Sequence, residues 1–448
     1  MITNHGVHEW RITAGLPDTG GQNVYVNDLS ATLVALGYRV SVYNRGGYPH
    51  PVTGTMRTGE HYRDPYERIV YVTDGQAEFL RKEEMKPRVA ALGAEVARHL
   101  AADGIPVTAF LSHYWDGAMV AEAARGELAE KAPHVWIPHS LGELKKSGTG
   151  AEEWEELRLD ERIAAERELL RQVDGVACTS KAMQHTLIED YGRRDCVFLP
   201  PCVDTSRFDR EAVEQDRRAA AVLAEASGRS EAEILRRRIV TEVSRTDRTK
   251  RKDLLIRAFA EVHGERPDTL LAVTIDRSKE DLAAELLTLI EELGLSDSVA
   301  VLGSVWDTVP SLYGMTAVYC TPSIMEGFGM SVQEAAACGV PAVASTRVPF
   351  AVEFLRGDGP GRRQCSTGEE AYEVGEGAVI VPPDDAGCLA AALSLLLDDE
   401  ALRRELGEAA YRITIPRFTW KTATVRFLRE SGIPGPPAAD TARGEAER

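Results

Sequence analysis

The most informative stretch of the sequence is Glu326-Gly327-Phe328-Gly329-Met330-Ser331-Val332-Gln333-Glu334-Ala335. It follows an apolar run that ends near Thr321, which predicts a strand, a glycine-rich loop and a helix that begins near Met330. Glycines allow a backbone to approach a ligand closely, and the first turn of a helix has unpaired N–H groups. The pattern therefore predicts an anion, such as a phosphate, at this turn.

Two carboxylates in this stretch are suited to sugar hydroxyls, because one carboxylate can accept two hydrogen bonds at once. Glu334 would lie in the first turns of the helix, within reach of a ribose diol. Glu326 would lie on the preceding loop, near a hydroxyl of a second sugar. From spacing alone the alternative is equally open, namely that Glu326 is an ordinary loop residue and Glu334 a solvated helix residue.

A second stretch, Ser244-Arg245-Thr246-Asp247-Arg248-Thr249-Lys250-Arg251-Lys252-Asp253, follows a predicted strand and begins a helix. Cations at the carboxyl end of a parallel strand are suited to a diphosphate, which becomes more negative as a glycosidic bond breaks. We select Arg245 and Lys250 for this role. The alternative is a basic loop on an acidic protein.

A third stretch, Gly15-Leu16-Pro17-Asp18-Thr19-Gly20-Gly21-Gln22-Asn23, leads into a helix with an apolar face. Paired glycines between a strand and a helix are compatible with a phosphate loop. The GxGxxG fingerprint of dinucleotide-binding proteins is missing from this stretch, and a Gly-Gly turn often has only a structural role.

Short β-branched runs alternate with longer helical patterns along almost the whole chain, which predicts an α/β protein with parallel sheets covered by helices. The predicted strands span 39–44, 69–73, 107–112, 134–138, 175–179 and 196–199 in the first half, and 239–243, 270–275, 299–303, 317–320, 342–345 and 378–381 in the second.

The length of 448 residues predicts two domains, because single cores stop growing at ~250 to 300 residues. An Ala, Glu and Arg-rich helical stretch from Asp209 to Arg238 places the boundary between domains 1–208 and 209–413. Residues 432–448 are rich in Pro, Ala, Gly and charge, and we expect them to be a disordered tail.

Composition excludes several classes of partner. The formal net charge of −18 disfavours nucleic acid and anionic membranes, because the phosphates of both would be repelled. Seven Cys residues without metal spacing predict no metal site and indicate a reducing, cytoplasmic location. The sequence also contains no uninterrupted apolar run of ~18 residues, so we expect no membrane span.

Taken together, the three stretches resemble the large retaining glycosyltransferase family of the GT-B fold that contains sucrose synthase and sucrose-phosphate synthase. Glu326 and Glu334 have the E-x7-E spacing of that family. The resemblance covers nearly the whole chain. Further segments resemble the sucrose-phosphate synthase branch: Asp18–Gln22, Lys82–Glu84, Ser112–Gly117, His139–Gly142 and Pro200–Asp204.

The resemblance implies two Rossmann-like, doubly wound domains that face each other across a cleft, with the acceptor mainly on the first and the nucleotide sugar mainly on the second. A final helix, at 414–431, would cross back to the first domain. The implied reaction moves a hexose, with glucose expected, from a uridine, guanosine or adenosine diphosphate sugar to a small sugar or sugar phosphate. No tightly bound cofactor is expected, and Mg²⁺ would be auxiliary.

The resemblance also assigns residues to roles. As catalytic residues it implies Arg245, Lys250, Glu326 and His139. As donor-binding residues it implies Gly20, Gly21, Phe328, Gly329, Met330 and Glu334. As acceptor-binding residues it implies Gln22, Lys82, His113, Lys145 and Lys181. His139 and His113 have a packing role as their alternative, and Lys181 stands where the branch often has Arg.

Two other functions stay open. One is a related transferase that makes a compatible solute or decorates a secondary metabolite, with an acceptor that carries no phosphate. The other is a binding or regulatory protein that kept the fold and lost turnover.

Overall fold

The computed structural model describes residues 1–13, 16, 18–129, 132–146, 149–303, 305–357, 361–364 and 371–436, the segment 361–364 by its backbone alone. The strands are β1 Val40–Arg45, β2 Gly59–Asp64, β3 Glu67–Val72, β4 Phe110–His113, β5 His134–Ile137, β6 Gly175–Cys178, β7 Cys196–Phe198, β8 Arg238–Glu242, β9 Thr269–Thr274, β10 Val299–Leu302, β11 Thr316–Thr321, β12 Ala342–Ser345, β13 Gly361–Gln364, β14 Ala371–Val374 and β15 Ala378–Val381.

The helices are α1 Gly21–Ala35, α2 Val89–Asp103, α3 Tyr114–Glu127, α4 Ala151–Glu156, α5 Leu159–Gln172, α6 Lys181–Glu189, α7 Arg210–Gln215, α8 Arg218–Ser227, α9 Glu231–Ile234, α10 Lys252–Glu265, α11 Glu280–Glu292, α12 Val309–Met315, α13 Met330–Ala337, α14 Ala386–Asp398, α15 Glu400–Thr414 and α16 Trp420–Glu430. Short 3₁₀ helices lie at Lys82–Glu84, Lys86–Arg88, Glu143–Lys145 and Arg248–Lys250, and a π-helical turn at Ala351–Leu355.

The chain forms two compact units, one of Met1–Pro201 with Trp420–Arg448 and one of Cys202–Thr419. Both contain parallel strands and helices, which confirms the predicted α/β class with two Rossmann-like domains. The segment from Cys202 to Phe208, which composition places in the first half, lies in the second unit. The Phe208 ring packs there against Tyr313, with 6.0 Å between ring centroids.

The first unit is built on strands that run β2-β3-β1 on one side and β4-β5-β6-β7 on the other. Ile2 joins the two sets, because it pairs in parallel with Tyr43 of β1 and with Ser112 of β4. Apolar faces of α2 and α3 cover one part of these strands, with Leu92 and Val96 fully buried. This arrangement brings the carboxyl ends of β1, β4 and β5 to one edge.

The second unit has one sheet in the order β10-β9-β8-β11-β12-β15-β14-β13. Strands β8 to β12 and β15 are parallel, whereas β13 and β14 run antiparallel to their neighbours. Leu255 and Phe259 of α10 are completely buried in its core, and each contributes about 1.5–3 kcal/mol through burial. The strand order reverses between β8 and β11, which is where sheets of this kind bind ligands.

Three strands were missing from the sequence prediction. The β2 strand, Gly59–Asp64, has no buried residue and no apolar alternation, and β13 and β14 form a short antiparallel hairpin at the sheet edge. The helical stretch at 209–238 is also interrupted, because α8 ends at Gly228 in a left-handed conformation with φ 66° and Ser230 then caps α9.

The start of the predicted tail packs on the first unit. Ile433 is buried, and the Tyr38 hydroxyl donates a hydrogen bond of 2.8 Å to the Pro434 carbonyl. The rest of the predicted tail, 437–448, lies outside the described residues.

Candidate active site

In the second unit, the loops after β8 and β11 are joined by hydrogen bonds to one backbone carbonyl. The Thr249 carbonyl accepts a hydrogen bond from the Ile324 N–H at 2.8 Å and one from the Ser323 hydroxyl at 3.0 Å. Asp247 caps the 3₁₀ turn at Arg248–Lys250, since its carboxylate accepts the Thr249 N–H at 2.9 Å. These contacts hold the two predicted ligand loops side by side at the β8/β11 reversal.

Lys250 and Glu326 meet at this point. The Lys250 Nζ lies 2.5 Å from Glu326 Oε1 and 3.5 Å from the Met325 carbonyl. Only 7% of Lys250 is exposed, so its charge lies in a partly desolvated place where a carboxylate partner is required. A cation with a fixed carboxylate neighbour can bind a phosphate oxygen on one side and orient a hydroxyl on the other.

Arg245, the second cation selected from the sequence, lies apart from this pair. Its side chain is 78% exposed, and its guanidinium lies 3.6 Å from Asp247. The Lys250 and Glu326 side chains are therefore together, whereas Arg245 lies on the surface of the same loop.

The amino end of α13 follows directly. Gly329 is its N-cap with φ 99°, a conformation that favours glycine, and an added Cβ would lie 2.7 Å from a Val348 methyl group. At Gly327 an added Cβ would meet open space. Met330 is the first helical residue and is half-buried. The loop thus requires glycine at 329 for the backbone itself.

The ring of Phe328 points into the interior of the second unit. It is 4% exposed and packs with Phe350, Phe354 and Phe418 at centroid distances of 5.4, 6.3 and 6.4 Å. Its carbonyl accepts the Phe350 N–H at 2.7 Å. The ring therefore anchors the loop, because an apolar ring is more stable in the aromatic cluster than at a polar site, and a contact of Phe328 with the donor stays a prediction.

Glu334 lies half-buried in α13 and is 3.5 Å from the hydroxyl of Tyr313, which donates to it. Burial raises the pKa of Tyr313 well above its usual value, and the charge of Glu334 raises it further. Tyr313 consequently stays protonated and can keep the carboxylate in place.

The sequence did not predict a buried ion pair between the last residue of β8 and the first residue of α10. Lys252 donates to Glu242 in a short contact, and both side chains are 1% exposed. Lys252 also donates to the Ser244 hydroxyl at 3.0 Å and to Thr274 at 3.2 Å. Burial lowers the pKa of Lys252 even though Glu242 opposes this. A carboxylate inside the apolar run at 239–243 was the available signal.

In the first unit, His139 follows β5 and contacts His113, the last residue of β4. His113 Nδ1 lies 2.9 Å from His139 Nε2, and the Tyr25 ring packs edge-on against His139 at 4.7 Å. Burial lowers the pKa of His139 to about 3, with a smaller effect from His5, and lowers that of His113 well below its usual value. Both rings are therefore neutral near pH 7.

The sequence also did not predict a network of hydrogen bonds that fixes the turn after His139. His139 itself has a left-handed backbone conformation with φ 59°. Arg162, 4% exposed, donates to the Ser140 carbonyl at 2.7 Å and to Glu166 at 2.7 Å. Glu166 also accepts the Gly142 N–H at 2.9 Å. A buried arginine and carboxylate thereby fix the backbone on both sides of Leu141.

The predicted acceptor cations are distributed as follows. Lys82 pairs with Asp18 at 2.7 Å and with Glu83 at 3.1 Å. Burial lowers the pKa of Lys145, and the charges of Arg162 and Lys82 lower it further. Lys181 is exposed at the first residue of α6, a helix that packs on the turn that carries Lys145.

The paired glycines lie at the start of α1. Gly20 is its N-cap, where the backbone N–H donates to the Asn23 side chain at 2.9 Å and an added Cβ would meet open space. Gly21 is the first residue of α1, and Gln22 donates to the Thr3 hydroxyl at 3.1 Å. Gly15 and Pro17 of the same stretch lie outside the described residues.

Metal-ligating side chains are dispersed in the described part of the chain. There, His, Cys, Asp and Glu side chains form no group of three or more that could hold a metal ion. Across the same residues, none of the helices combines the length and the apolar character needed to cross a membrane.

Two family models match the chain. Residues 225–413 match the model described as Glycosyl transferases group 1, and residues 19–207 match the one described as Glycosyltransferase Family 4. The candidate donor loops of the second unit lie within the first of these matches.

Among curated relatives, the mannosylfructose-phosphate synthase of Agrobacterium fabrum is 29% identical over 362 residues, which cover 77% of this chain and 75% of the relative. The D-inositol 3-phosphate glycosyltransferase of Corynebacterium jeikeium is 28% identical over 446 residues, which cover 97% and 96%.

Solved structures are similar over both units. Sucrose-phosphate synthase from Thermosynechococcus elongatus has a TM-score of 0.70 and 23% identity, with 92% of this chain and 93% of that one covered. An Anabaena protein in complex with UDP and glucose has a TM-score of 0.63, 18% identity and coverage of 92% and 95%. An alpha,alpha-trehalose-phosphate synthase (UDP-forming) from Burkholderia xenovorans, in complex with glucose-6-phosphate, has a TM-score of 0.66, 14% identity and coverage of 96% and 99%. At these identities the likeness establishes a shared fold.

Proposed function

We propose that this chain, which has the GT-B fold, belongs to the glycosyl transferases group 1 family and moves a hexose, with retention of its anomeric configuration, from a nucleoside diphosphate sugar to a small sugar phosphate. The observation that carries the proposal is the contact of Lys250 with Glu326 beside the amino end of α13. Glucose is the proposed hexose, and the uridine nucleotides named for two structural neighbours support uridine as the base.

On the donor side, we assign Lys250 to the departing diphosphate and Glu326 to a hydroxyl of the donor sugar. Arg245 would reach the diphosphate from its exposed position on the same loop. Glu334 would accept hydrogen bonds from the ribose. The leaving phosphate itself would remove the acceptor proton, so the protein supplies alignment and charge stabilisation and no nucleophile. His139, neutral near pH 7, would form a hydrogen bond to the reacting sugar.

On the acceptor side, we propose that Lys145, whose pKa the charges of Arg162 and Lys82 lower, binds a phosphate, since an ammonium and a dianion form strong charge-assisted hydrogen bonds. The names of the relatives include a sugar-phosphate synthase and an inositol phosphate glycosyltransferase, which supports the same class.

One observation favours a second candidate function, transfer to an acceptor without phosphate. Lys82 is already balanced by Asp18 at 2.7 Å, so its charge is partly satisfied inside the protein. A neutral acceptor would then need only hydrogen bonds from the same side chains.

The acceptor is tested with matched pairs of substrates, each sugar assayed with and without its phosphate. We expect Lys145→Ala to raise the KM for the sugar phosphate while the slow hydrolysis of the donor without acceptor stays unchanged. The control is Lys146→Ala, because Lys146 is the next residue but is 57% exposed and paired with Glu143. Equal effects of Lys145→Ala on phosphorylated and plain acceptors would contradict a phosphate site.

The nucleotide is tested by titration calorimetry with free nucleoside diphosphates. Glu334→Ala should weaken binding about tenfold or more, because the ribose loses a charged hydrogen-bond acceptor. Glu291→Ala, an exposed carboxylate on α11, is the control. Unchanged affinity in Glu334→Ala would remove this residue from the site.

A further inference from the structure

A cavity of about 350 Å³ lies in the first unit, at the amino ends of its strands. The first residues of three strands line it, namely Val40 of β1, Glu67 of β3 and Phe110 of β4. His113, the last residue of β4, lies at the opposite edge of the sheet. The cavity is therefore separate from the residues assigned to the reaction, and its volume is within the range of ~300–1,000 Å³ that is usual for binding sites.

Two residues beside the cavity, Met1 and Ile2, lie between β1 and β4 and bond to each strand in turn. The Met1 amine donates to the Ser41 carbonyl of β1 at 2.8 Å, and the Met1 carbonyl accepts an N–H from the same strand at 2.9 Å. Ile2 donates to the Leu111 carbonyl of β4 at 2.8 Å and accepts an N–H from β4 at 2.9 Å. This alternation is that of a parallel strand with a neighbour on either side.

The same alternation turns two further N–H groups towards the cavity. Phe110 donates its N–H on the β5 side of β4 at 2.8 Å, so the N–H of Leu111 faces the opposite side. Val40 donates its N–H on the β3 side of β1 at 2.8 Å, so the N–H of Ser41 faces the cavity as well. Neither of these two N–H groups has an acceptor among the described residues. Buried backbone donors are nearly always paired, so the two strand edges favour a ligand with backbone acceptors.

The residues ahead of β4 give an independent indication. The sequence pattern predicts a strand over 107–112, whereas β4 begins at Phe110. Val107, Thr108 and Ala109 line the cavity, and the first two have the β-branched character of strand residues. A strand placed beside them would extend the pairing of β4 by about three residues, or ~10 Å at ~3.3 Å per residue.

The side chains of the cavity also restrict the class of ligand. Its charged groups are already paired, since Arg68 contacts Asp103, and Glu67 contacts Arg63 at 2.5 Å. An ion would therefore gain little here. Apolar side chains from three helices line the cavity, namely Leu33 of α1, Leu100 of α2 and Leu428 of α16. Backbone donors beside apolar side chains fit an extended peptide with apolar residues.

The Met1 nitrogen indicates where such a peptide would be attached. Burial lowers the pKa of this amine to about 5, so it is neutral near pH 7, and a peptide N–H at the same place would keep the hydrogen bond to Ser41. We propose that the cavity binds one extended, apolar strand of about three residues, parallel to β1 and β4 and joined by a peptide bond to the nitrogen of Met1. The carbonyl next to Met1 would accept the Leu111 N–H, and the carbonyl before it would accept the Ser41 N–H.

Hydrogen-exchange mass spectrometry tests the proposal on the full chain with Val-Ile-Val added ahead of Met1. We expect the amides of 39–44 and 107–112 to exchange about tenfold more slowly than in the unaltered chain, because the added strand pairs with both segments. The melting temperature should also rise by about 2–4 °C. Thr-Val-Thr, a more polar strand of the same β-branched character, should give the same protection. The β8 strand of the second unit, Arg238–Glu242, is the internal reference and should be unchanged.

Two matched extensions of the same length serve as controls. Gly-Ser-Gly has no apolar side chains to bury, and Val-Ile-Pro has no N–H next to Met1 for pairing with β4, so neither should slow the exchange. The proposal is overturned if Val-Ile-Val and Thr-Val-Thr exchange like Gly-Ser-Gly. It is also overturned if a free acetyl-Val-Ile-Val-amide peptide protects the unaltered chain as well as the joined strand does, because the occupant would then be a separate peptide. Because no transfer is measured, the result is independent of the proposed reaction.

Discussion

At the residue scale, the contact between Lys250 and Glu326 joins side chains that are 76 positions apart in the chain. The buried Lys250 is fixed before any ligand binds, whereas Arg245 is exposed. Fixed charges are most effective where charge develops during a reaction, because they need no reorganisation at that moment. Lys250 is therefore the residue whose loss should affect turnover most.

We predict that Lys250→Ala lowers the turnover number by about 10² to 10³, because a preorganised cation contributes ~3–4 kcal/mol to the transition state. The donor dissociation constant should change much less. Steady-state kinetics and donor titration measure both values. The control is Arg248→Ala, which also removes one positive charge from this loop. The Arg248 side chain is 71% exposed and pairs with Glu285, so its loss should leave turnover nearly unchanged. A large loss of donor affinity with a normal turnover number would mean that Lys250 stabilises the bound donor and the transition state equally.

A second prediction at this scale concerns the buried pair of Glu242 and Lys252. Glu242→Ala should lower the free energy of unfolding by about 3–5 kcal/mol, because it leaves a buried ammonium without its counter-charge. Replacing both residues by Met should restore much of the loss. Urea unfolding measures the difference. Arg404→Ala breaks an exposed pair with Glu400 and should cost less than about 1 kcal/mol. Equal effects of the buried and exposed changes would contradict the argument.

At the element scale, α13 begins at a turn that two features hold in place. The Phe328 ring is anchored in an aromatic cluster, and Gly329 takes the left-handed conformation that turns the chain into the helix. The helix is short, so the position of its free N–H groups depends on this turn and not on helix length.

We predict that Gly329→Ala lowers both the stability and the nucleotide affinity. An alanine at φ 99° costs ~1–2 kcal/mol, and its Cβ would press on Val348 at 2.7 Å. The control is Gly126→Ala in α3, which is exposed, meets open space and should stabilise the helix by about 0.5–1 kcal/mol. Unfolding curves and nucleotide titration on both variants give the comparison. If Gly329→Ala has the same stability and nucleotide affinity as Gly126→Ala, then the backbone at residue 329 does not require glycine.

At the scale of the whole molecule, the buried histidines are concentrated in the first unit. Burial lowers the pKa of His8 and of His139 to about 3, and that of His113 well below its usual value of 6.5. An unfolded chain binds protons at these positions once the pH falls below about 6.5, whereas the folded unit does not. Their contribution to stability is therefore complete above pH 6.5 and is lost as the pH falls towards 3.

We predict that the first unit loses stability steeply as the pH falls from 6.5 to 4.5, with a limiting slope of about 1.4 kcal/mol per pH unit for each of these histidines, or about 4 kcal/mol per pH unit for the three together. Tryptophan fluorescence during urea unfolding reports on this unit, because five of the six Trp residues lie in it, namely Trp10, Trp115, Trp136, Trp154 and Trp420. His139→Asn should reduce the slope by about 1.4 kcal/mol per pH unit, since Asn tolerates the left-handed backbone. A slope that stays the same in this variant would assign the pH dependence to other groups.

Much of the fold followed from local pattern. The strands β1, β8, β12 and β15 were predicted within about one residue of their ends, because a buried parallel strand is a short, largely apolar run between turn signals that sequence displays directly. The loops after β8 and β11 were also recognisable, since glycine and charge stand out where apolar runs stop. Exposed or edge strands such as β2 lack that signal.

Sequence by itself determined the α/β class, the order of the elements and which residue types follow each strand, since these depend on the periodicity and chemistry of neighbouring residues. Tertiary structure decided which of those side chains meet. The parallel pairing of β8 with β11 put Lys250 against Glu326, and the aromatic cluster turned Phe328 inward. The Glu242–Lys252 pair likewise depends on residues brought together from separate segments. Such contacts depend on strand order and on the balance of burial against charge, which no local pattern encodes.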